Sequence, residues 1–160
     1  MQSSGRYEIC SRNEKESLLD YLEEKFGIPR EIFKDYTFLK KGKNVWIFSG
    51  DLEALSEVRR IEIIGIKALS PTKSGLKPTT TFVQIFGKFA RKNVVELKDE
   101  NELIEFASGG IVKRKFNAEP GYVIVKYGDD ILGCGLYSHT GLISQIPRGR
   151  RVEEKWFKEQ

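Results

Sequence analysis

Histidine occurs once in the 160 residues, at His139, and cysteine twice, at Cys10 and Cys134. The two cysteines are far apart and have no histidine set beside them. They therefore form no zinc-ligand pattern and read as reduced thiols. No apolar run approaches the roughly 20 residues that span a bilayer, and the opening Met-Gln-Ser-Ser-Gly-Arg lacks a signal-peptide core. The expectation is an intracellular, cytoplasmic protein with no membrane partner. Nucleotide-cradling motifs are missing too: neither G-x-G-x-x-G nor G-x-x-x-x-G-K-[ST] occurs. Paired carboxylates are present at Glu23-Glu24, Asp129-Asp130 and Glu153-Glu154, on helix faces, turns or the tail, where they read as solvated charges. His139 sits in a predicted hairpin turn, solvated or stacked on a base. Cys10 follows an apolar residue near a mobile terminus, and Cys134 alternates with Leu132 and Leu136 as a buried small hydrophobe. These gaps leave no catalytic residue, no metal site and no cofactor, so the chain is expected not to be an enzyme.

What is present is the composition of a folded protein, with 39% hydrophobic and 31% charged residues. The net charge is +4. This suits a polyanionic partner but is too mild to require one, so any nucleic-acid footprint has to come from local clusters.

The spacing predicts a helix from Asn13, capped with Glu16 and carrying Leu18, Leu22 and Phe26, that ends at Gly27. Pro29 restarts a short helix through Phe33. Tyr36 to Lys40 and Val45 to Phe48 flank a Lys41-Gly42-Lys43-Asn44 turn and read as a β-hairpin. A brief helix follows from Ser49 to about Val58, then a strand from Ile61 to Ala68 and a loop over 70–75, where Pro71 and Gly75 rule out regular structure. Residues 79–90 form a helix with Phe82, Phe86 and Phe89 on its apolar face. Val94 to Leu97 is a strand, and Asp99 with Glu102 opens a helix that stops at Gly109-Gly110.

Beyond Ile111 the chain is read as β. Gly/Asp and Gly/Thr clusters divide Gly121 to Ile146 into three antiparallel strands. Val123 and Val125, and on the next strand Leu132, Cys134 and Leu136, are placed on one buried side. Gly133 and Gly135 permit a sharp bend or a close approach by another backbone. The expected boundary lies near 91, between an N-terminal α+β domain (1–91) and a second domain (92–160).

Basic residues gather at three places. Lys113, Arg114 and Lys115 lie on a predicted strand, with Lys113 and Lys115 on one side and Arg114 on the other; the alternative role is a charged edge that resists aggregation. Arg148, Arg150 and Arg151 form a flexible basic tip suited to phosphate. Lys88, Arg91 and Lys92 cluster at the end of the 79–90 helix, where complementing its dipole is the simpler role. Tyr122, Tyr127 and Tyr137 could stack on unpaired bases or cover barrel edges.

Taken in order, several segments resemble the non-catalytic C-terminal region of the Sun/RsmF-type RNA 5-methylcytosine methyltransferases. They are Phe26-Gly27-Ile28-Pro29, Tyr36, Asn44-Val45-Trp46-Ile47, Gly65-Ile66-Lys67 and Leu76-Lys77-Pro78-Thr79-Thr80. Glu102 to Gly109, Gly121-Tyr122-Val123-Ile124-Val125, Leu132-Gly133-Cys134-Gly135 and Pro147-Arg148-Gly149-Arg150-Arg151 resemble that region's closing PUA-like domain. The resemblance covers roughly residues 20–152. Such a methyltransferase also needs a Rossmann-like domain for S-adenosylmethionine and cysteines in Pro-Cys and Thr-Cys contexts, and neither cysteine here has that context.

The resemblance therefore implies a stand-alone RNA-binding relative, of the kind grouped with ribosome-biogenesis proteins. Its fold would be α+β, an N-terminal α+β subdomain followed by a PUA-like mixed β pseudo-barrel with one helix. In PUA domains RNA runs along a cleft between the first helix and nearby strands. That position points to Gly109, Gly110, Lys113, Arg114 and Lys115 as the contact edge, with Tyr137, Arg148, Arg150, Arg151, Lys88, Arg91 and Lys92 as further RNA-binding candidates. The expected partner is structured RNA, rRNA or tRNA, with an RNA methyltransferase or ribosome-assembly protein as a second partner to consider. The competing expectation is an interaction subunit that docks on such a protein through Trp46 and Phe48.

Overall fold

The fold, taken from a computed structural model, is described for residues 7–49 and 65–151. It is α+β. Strand β1 (Glu8–Ile9) leads into helix α1 (Arg12–Phe26). The helix begins at Ser11, whose hydroxyl accepts from the Glu14 amide at 3.1 Å while the Glu14 carboxylate accepts from the Ser11 amide at 2.8 Å. This box replaces the one expected at Asn13 and Glu16. It forms two residues earlier because the chain is already anchored there. The Cys10 amide donates to the Phe38 carbonyl at 2.9 Å, and the Cys10 side chain is buried in the core instead of lying in a mobile terminus. Leu19, Leu22 and Phe26 form the buried stripe, with Leu18 half-buried beside them. Gly27 ends the helix in the left-handed region, φ 65°.

After a 3-10 turn at Arg30–Phe33, β2 (Tyr36–Lys41) and β3 (Asn44–Ser49) make the predicted hairpin. The expected helix to Val58 and the start of the Ile61 run lie outside the described residues. Strand β4 (Gly65–Thr72) pairs with β3 and then with β5 (Gly75–Pro78), which completes an antiparallel sheet ordered β1-β2-β3-β4-β5. The loop expected over 70–75 is thus mostly strand, with a turn only at Lys73-Ser74. Proline is tolerated at Pro71 because the β3 pairing stops at Leu69, so its missing N–H removes no ladder bond on that side. The Thr72 hydroxyl closes the turn, accepting from the Ser74 amide and donating to the Gly75 carbonyl.

Helix α2 (Thr80–Phe86) is capped by the Thr79 hydroxyl, which accepts from the Phe82 amide at 3.1 Å. The helix predicted to 90 tightens into a 3-10 turn at Gly87–Phe89. Gly87 packs so closely on the second sheet that a Cβ there would stand 3.2 Å from Ile131. Phe82 and Phe86 meet Phe33 with ring centroids 6.2 and 5.0 Å apart, and Phe33 meets Phe38 at 5.7 Å. Aromatic pairs of this kind add about 1 kcal/mol each beyond the burial of their area.

The second sheet comprises β6 (Val94–Glu96), β7 (Ile111–Val112), β8 (Gly121–Tyr127), β9 (Asp130–Ser138) and β10 (Gly141–Ser144), ordered β6-β8-β9-β10-β7. It is mixed: β6 runs parallel to β8, and the other pairs are antiparallel. Helix α3 (Glu100–Ala107) connects the two edge strands, β6 and β7, and buries Phe106 against the sheet.

The strand faces differ from those expected. Register sets Val123 opposite Gly135 and Ile124 opposite Cys134, and residues paired across a ladder share a face. Cys134 and Leu136 therefore lie with Tyr122 and Ile124, against the cluster containing Phe26, Phe33 and Phe82. Val123 and Val125 face the opposite cluster of Val95, Leu97, Phe106 and Leu142. Strand β8 is buried on both faces, and alternation within each strand cannot set the phase between strands. What approaches Gly135 is side chain and not the backbone that was expected: a Cβ there would lie 2.6 Å from Leu142 Cδ1 and 3.3 Å from Phe106.

Candidate functional site

The connection between the sheets is the first place where candidate cations meet structure. Arg91 and Lys92 were expected to complement the helix that precedes them, but they sit at the C-terminus of α1. Their amides donate to the Phe26 carbonyl at 2.8 and 3.0 Å, and Lys92 Nζ donates to the Glu24 carbonyl at 3.4 Å. Asn93, at φ 54°, donates from Nδ2 to the Lys25 carbonyl at 2.7 Å. The last carbonyls of α1, left open by helix geometry, are thus met by the segment that leads into the second sheet. Positive charge at this end of a helix is favourable. Asn93 also exchanges bonds with Glu119, and its carbonyl accepts from the Ile124 amide at 2.9 Å. Lys88 lies apart, its ammonium 5.2 Å from the centre of the Phe89 ring.

Gly109, Gly110, Lys113 and Arg114 do come together, in an open groove of about 870 Å³ between α3 and β7 that Lys98, Asp99, Glu102 and Glu105 also line. Both glycine amides are engaged within the protein, Gly109 to the Phe106 carbonyl at 3.1 Å and Gly110 to the Glu105 carbonyl at 2.8 Å. Residues 113–115 continue past β7 as irregular chain and do not form the expected strand. Arg114 turns back onto α3, where Nε reaches Glu102 Oε2 at 2.6 Å and Nη2 reaches Oε1 at 3.1 Å. The guanidinium lies 3.8 Å over the Phe116 ring.

The capping box expected at Asp99 is half formed. Asp99 caps the Glu102 amide at 3.0 Å, but the Glu102 carboxylate takes the Lys98 amide at 2.8 Å and Arg114. Arg114 first, then the Lys98 amide, holds the Glu102 carboxyl below the usual glutamate range. Three carboxylates and three cations line this groove, so its formal charge is balanced. Lys113 and Lys115 are exposed.

The arginine tip folds into a turn and divides between two places. Arg148–Arg150 form a 3-10 turn. Arg151 turns toward Gly109, where its guanidinium would contact any Cβ, and donates from Nε to the Ile146 carbonyl at 2.9 Å. Arg150 points to a second groove of about 310 Å³, lined by Ile66, Lys67, Thr79, Thr80, Thr81 and Pro147, and its Nη2 donates to Thr81 Oγ1 at 3.2 Å. Arg148 is exposed. Lys67 and Thr81 had not been singled out as site residues. The signal available for them was the Thr79-Thr80-Thr81 run after Pro78, which by itself reads only as a helix start.

The tyrosines are mainly structural. Tyr122 is buried and bonds to Thr72 at 2.7 Å. The Tyr137 hydroxyl accepts from the Phe116 amide at 2.9 Å, with its ring edge-on to Phe116. Burial pushes the Cys134 thiol up to about 12, so it is no nucleophile at neutral pH. His139 is exposed in the β9–β10 turn. Phe48 is buried and Trp46 is half-buried, stacked edge-on with Tyr7 at 5.4 Å, so neither stands out as a docking anchor.

The segment that forms this mixed sheet and its connecting helix matches known proteins in sequence. Residues 92–152 match the family model described as the methyltransferase RsmF PUA domain. Over these residues the chain is PUA-like and similar to RsmF. Residues 3–65 match a family of unknown function, DUF7122. The ribosomal RNA small subunit methyltransferase F of Aeromonas salmonicida (strain A449) is 30% identical over 139 residues, covering 84% of this chain and 27% of the relative. That of Vibrio cholerae serotype O1 (strain M66-2) is 25% identical over 139 residues, covering 87% and 29%. The chain thus spans less than a third of the length of the curated relatives it matches. The alignment is longer than the PUA unit alone, so the likeness to RsmF extends into the first sheet.

Proposed function

We propose that this chain is a non-enzymatic RNA-binding protein that recognises structured rRNA or tRNA through its PUA-like unit, in ribosome biogenesis or RNA modification. The observation that carries this reading is the match of residues 92–152 to the PUA domain of a family named for rRNA methylation. Exposed cations support it, with Lys113, Lys115, Arg148 and Arg150 all at the surface of that unit. Lysine and arginine at these positions would hold backbone phosphates, and phosphate contacts position a nucleic acid more than they read its sequence. The non-enzymatic part is supported by an aligned region that spans under a third of each relative and by the buried, protonated thiol of Cys134.

In this reading residues 92–160 are the RNA-binding domain and residues 1–91 an N-terminal α+β domain. The test is binding of nuclease-treated protein to total tRNA and to rRNA fragments, with S-adenosylmethionine present in a parallel reaction. Saturable binding without methyl transfer is expected. Failure of the folded protein to bind either RNA would contradict the binding, and methyl transfer would contradict the non-enzymatic part.

A further inference from the structure

The two grooves differ in charge. The wider one, between α3 and β7, is lined by three carboxylates and three cations and ties Arg114 to Glu102. The narrower one carries Lys67 and Arg150, and among the described residues no carboxylate lines it. An anion entering the first meets balanced formal charge; in the second it meets two cations. The second groove is also assembled from separate parts of the chain. Lys67 comes from β4, the threonines from the start of α2, and Pro147 and Arg150 from the segment after β10.

These parts are held in register. The Thr79 hydroxyl donates to the Lys67 carbonyl at 2.7 Å, which ties α2 to β4, and the Arg150 Nη2 bond to Thr81 ties the last turn to α2. The Arg150 amide donates to the Pro147 carbonyl at 2.8 Å. Arg150 keeps most of its five donors for an outside oxygen, and the Thr81 hydroxyl, which accepts from Arg150, still has its own hydrogen to give. Ile66 and Pro147 supply an apolar wall, so the groove suits a group with anionic oxygens at one side and a ribose at the other.

We propose that this groove is a phosphate notch for an RNA backbone, formed by Lys67, Thr81 and Arg150 at the seam between the two sheets. The inference rests on the RNA-binding reading and adds to it a contact from the first sheet. RNA bound by the PUA-like unit would then continue across the seam.

The experiment compares RNA binding by the full chain, by Lys67→Ala/Arg150→Ala, and by a charge-matched Lys113→Ala/Lys115→Ala variant, across a salt series. All four side chains are exposed, so each variant is expected to keep the native fold. The seam variant should bind about tenfold more weakly at low salt, with a salt slope shallower by about one to two phosphate contacts, and should lose more than the matched variant. Equal affinity and slope in wild type and seam variant would overturn the notch while leaving RNA binding in place. If the wild type binds no RNA, the reading fails separately and inorganic phosphate becomes the probe. Amide shifts at Lys67, Thr81 and Arg150 that vanish in the seam variant would sustain the notch, and their absence would overturn it.

Discussion

Asn93 shows how much one side chain can fix. It holds a left-handed backbone, bonds the end of α1 at Lys25, and exchanges two bonds with Glu119. At about 1 kcal/mol for each of these three bonds, plus about 1 kcal/mol for a Cβ in that backbone region, Asn93→Ala should cost roughly 4 kcal/mol. Asn93→Gly keeps the backbone freedom, loses only the three bonds, and should cost about 3 kcal/mol. Urea unfolding of both variants checks the order; a smaller loss in the alanine variant would refute the backbone part. The role of Asn93 was not legible in the sequence, because an Asn after two cations reads as an ordinary loop and its partners lie 26 and 68 positions away.

The Glu102–Arg114 pair makes a pH prediction. Arg114 and the Lys98 amide lower the folded-state pKa of Glu102, so the native protein takes up this proton less readily than the unfolded chain. The stability involved is complete above the unfolded value near 4.3 and is lost as pH falls through the lower folded value. Glu102→Gln should weaken the protein by about 2 kcal/mol at pH 7 and flatten the fall in stability between about pH 5 and 3. An unchanged slope over that window would rule the pair out as its source. The same pair explains why a Lys-Arg-Lys cluster misleads when read alone: a carboxylate on another element takes its central member.

At the scale of elements, the hairpins were readable and the faces were not. Gly42 and the Gly128-Asp129 turn mark reversals by local backbone chemistry, and the paired strands follow on either side. The β4–β5 turn was misread because Pro and Gly usually break strands. Here Pro71 falls where β4 has lost its β3 neighbour, a fact about the sheet that no local pattern carries. The phase of β8 against β9 likewise needed the register. The glycine signal was local and half right: space is short at Gly135, but side chains and not a backbone fill it, and Gly133 has only ordinary contacts. Gly135→Ala would press a methyl into Leu142, Val125 and Phe106 and should cost about 1–3 kcal/mol by overpacking. Thermal unfolding measures this; a variant as stable as the wild type would show that Leu142 can yield.

Across the whole molecule, one apolar cluster takes Leu22, Phe26, Phe33, Phe38 and Phe82 from the first part of the chain and Tyr122, Ile124 and Cys134 from the second. Burying one such side chain contributes about 2 kcal/mol, so residues 92–151 alone would expose a face that the full chain covers. The two sheets should unfold together. Hydrogen exchange at Leu39 and Val125, one in each sheet, should report the same opening free energy, whereas a gap of several kcal/mol would show two independent units. The likeness to a PUA unit could be read from ordered short motifs, while the seam that joins this unit to the first sheet appears only in three dimensions. Arg91 and Lys92 belong to α1 for that reason, and Lys67 belongs with Arg150.

The central claim, that the PUA-like unit holds RNA by its phosphates, is tested most directly by the affinity of the intact chain for a structured rRNA fragment between about 50 and 200 mM salt. With two or more phosphate contacts, log affinity should fall linearly with log salt at a slope of roughly −0.7 to −0.9 per contact. Binding of constant strength across that range, or none by the folded protein, would contradict the account.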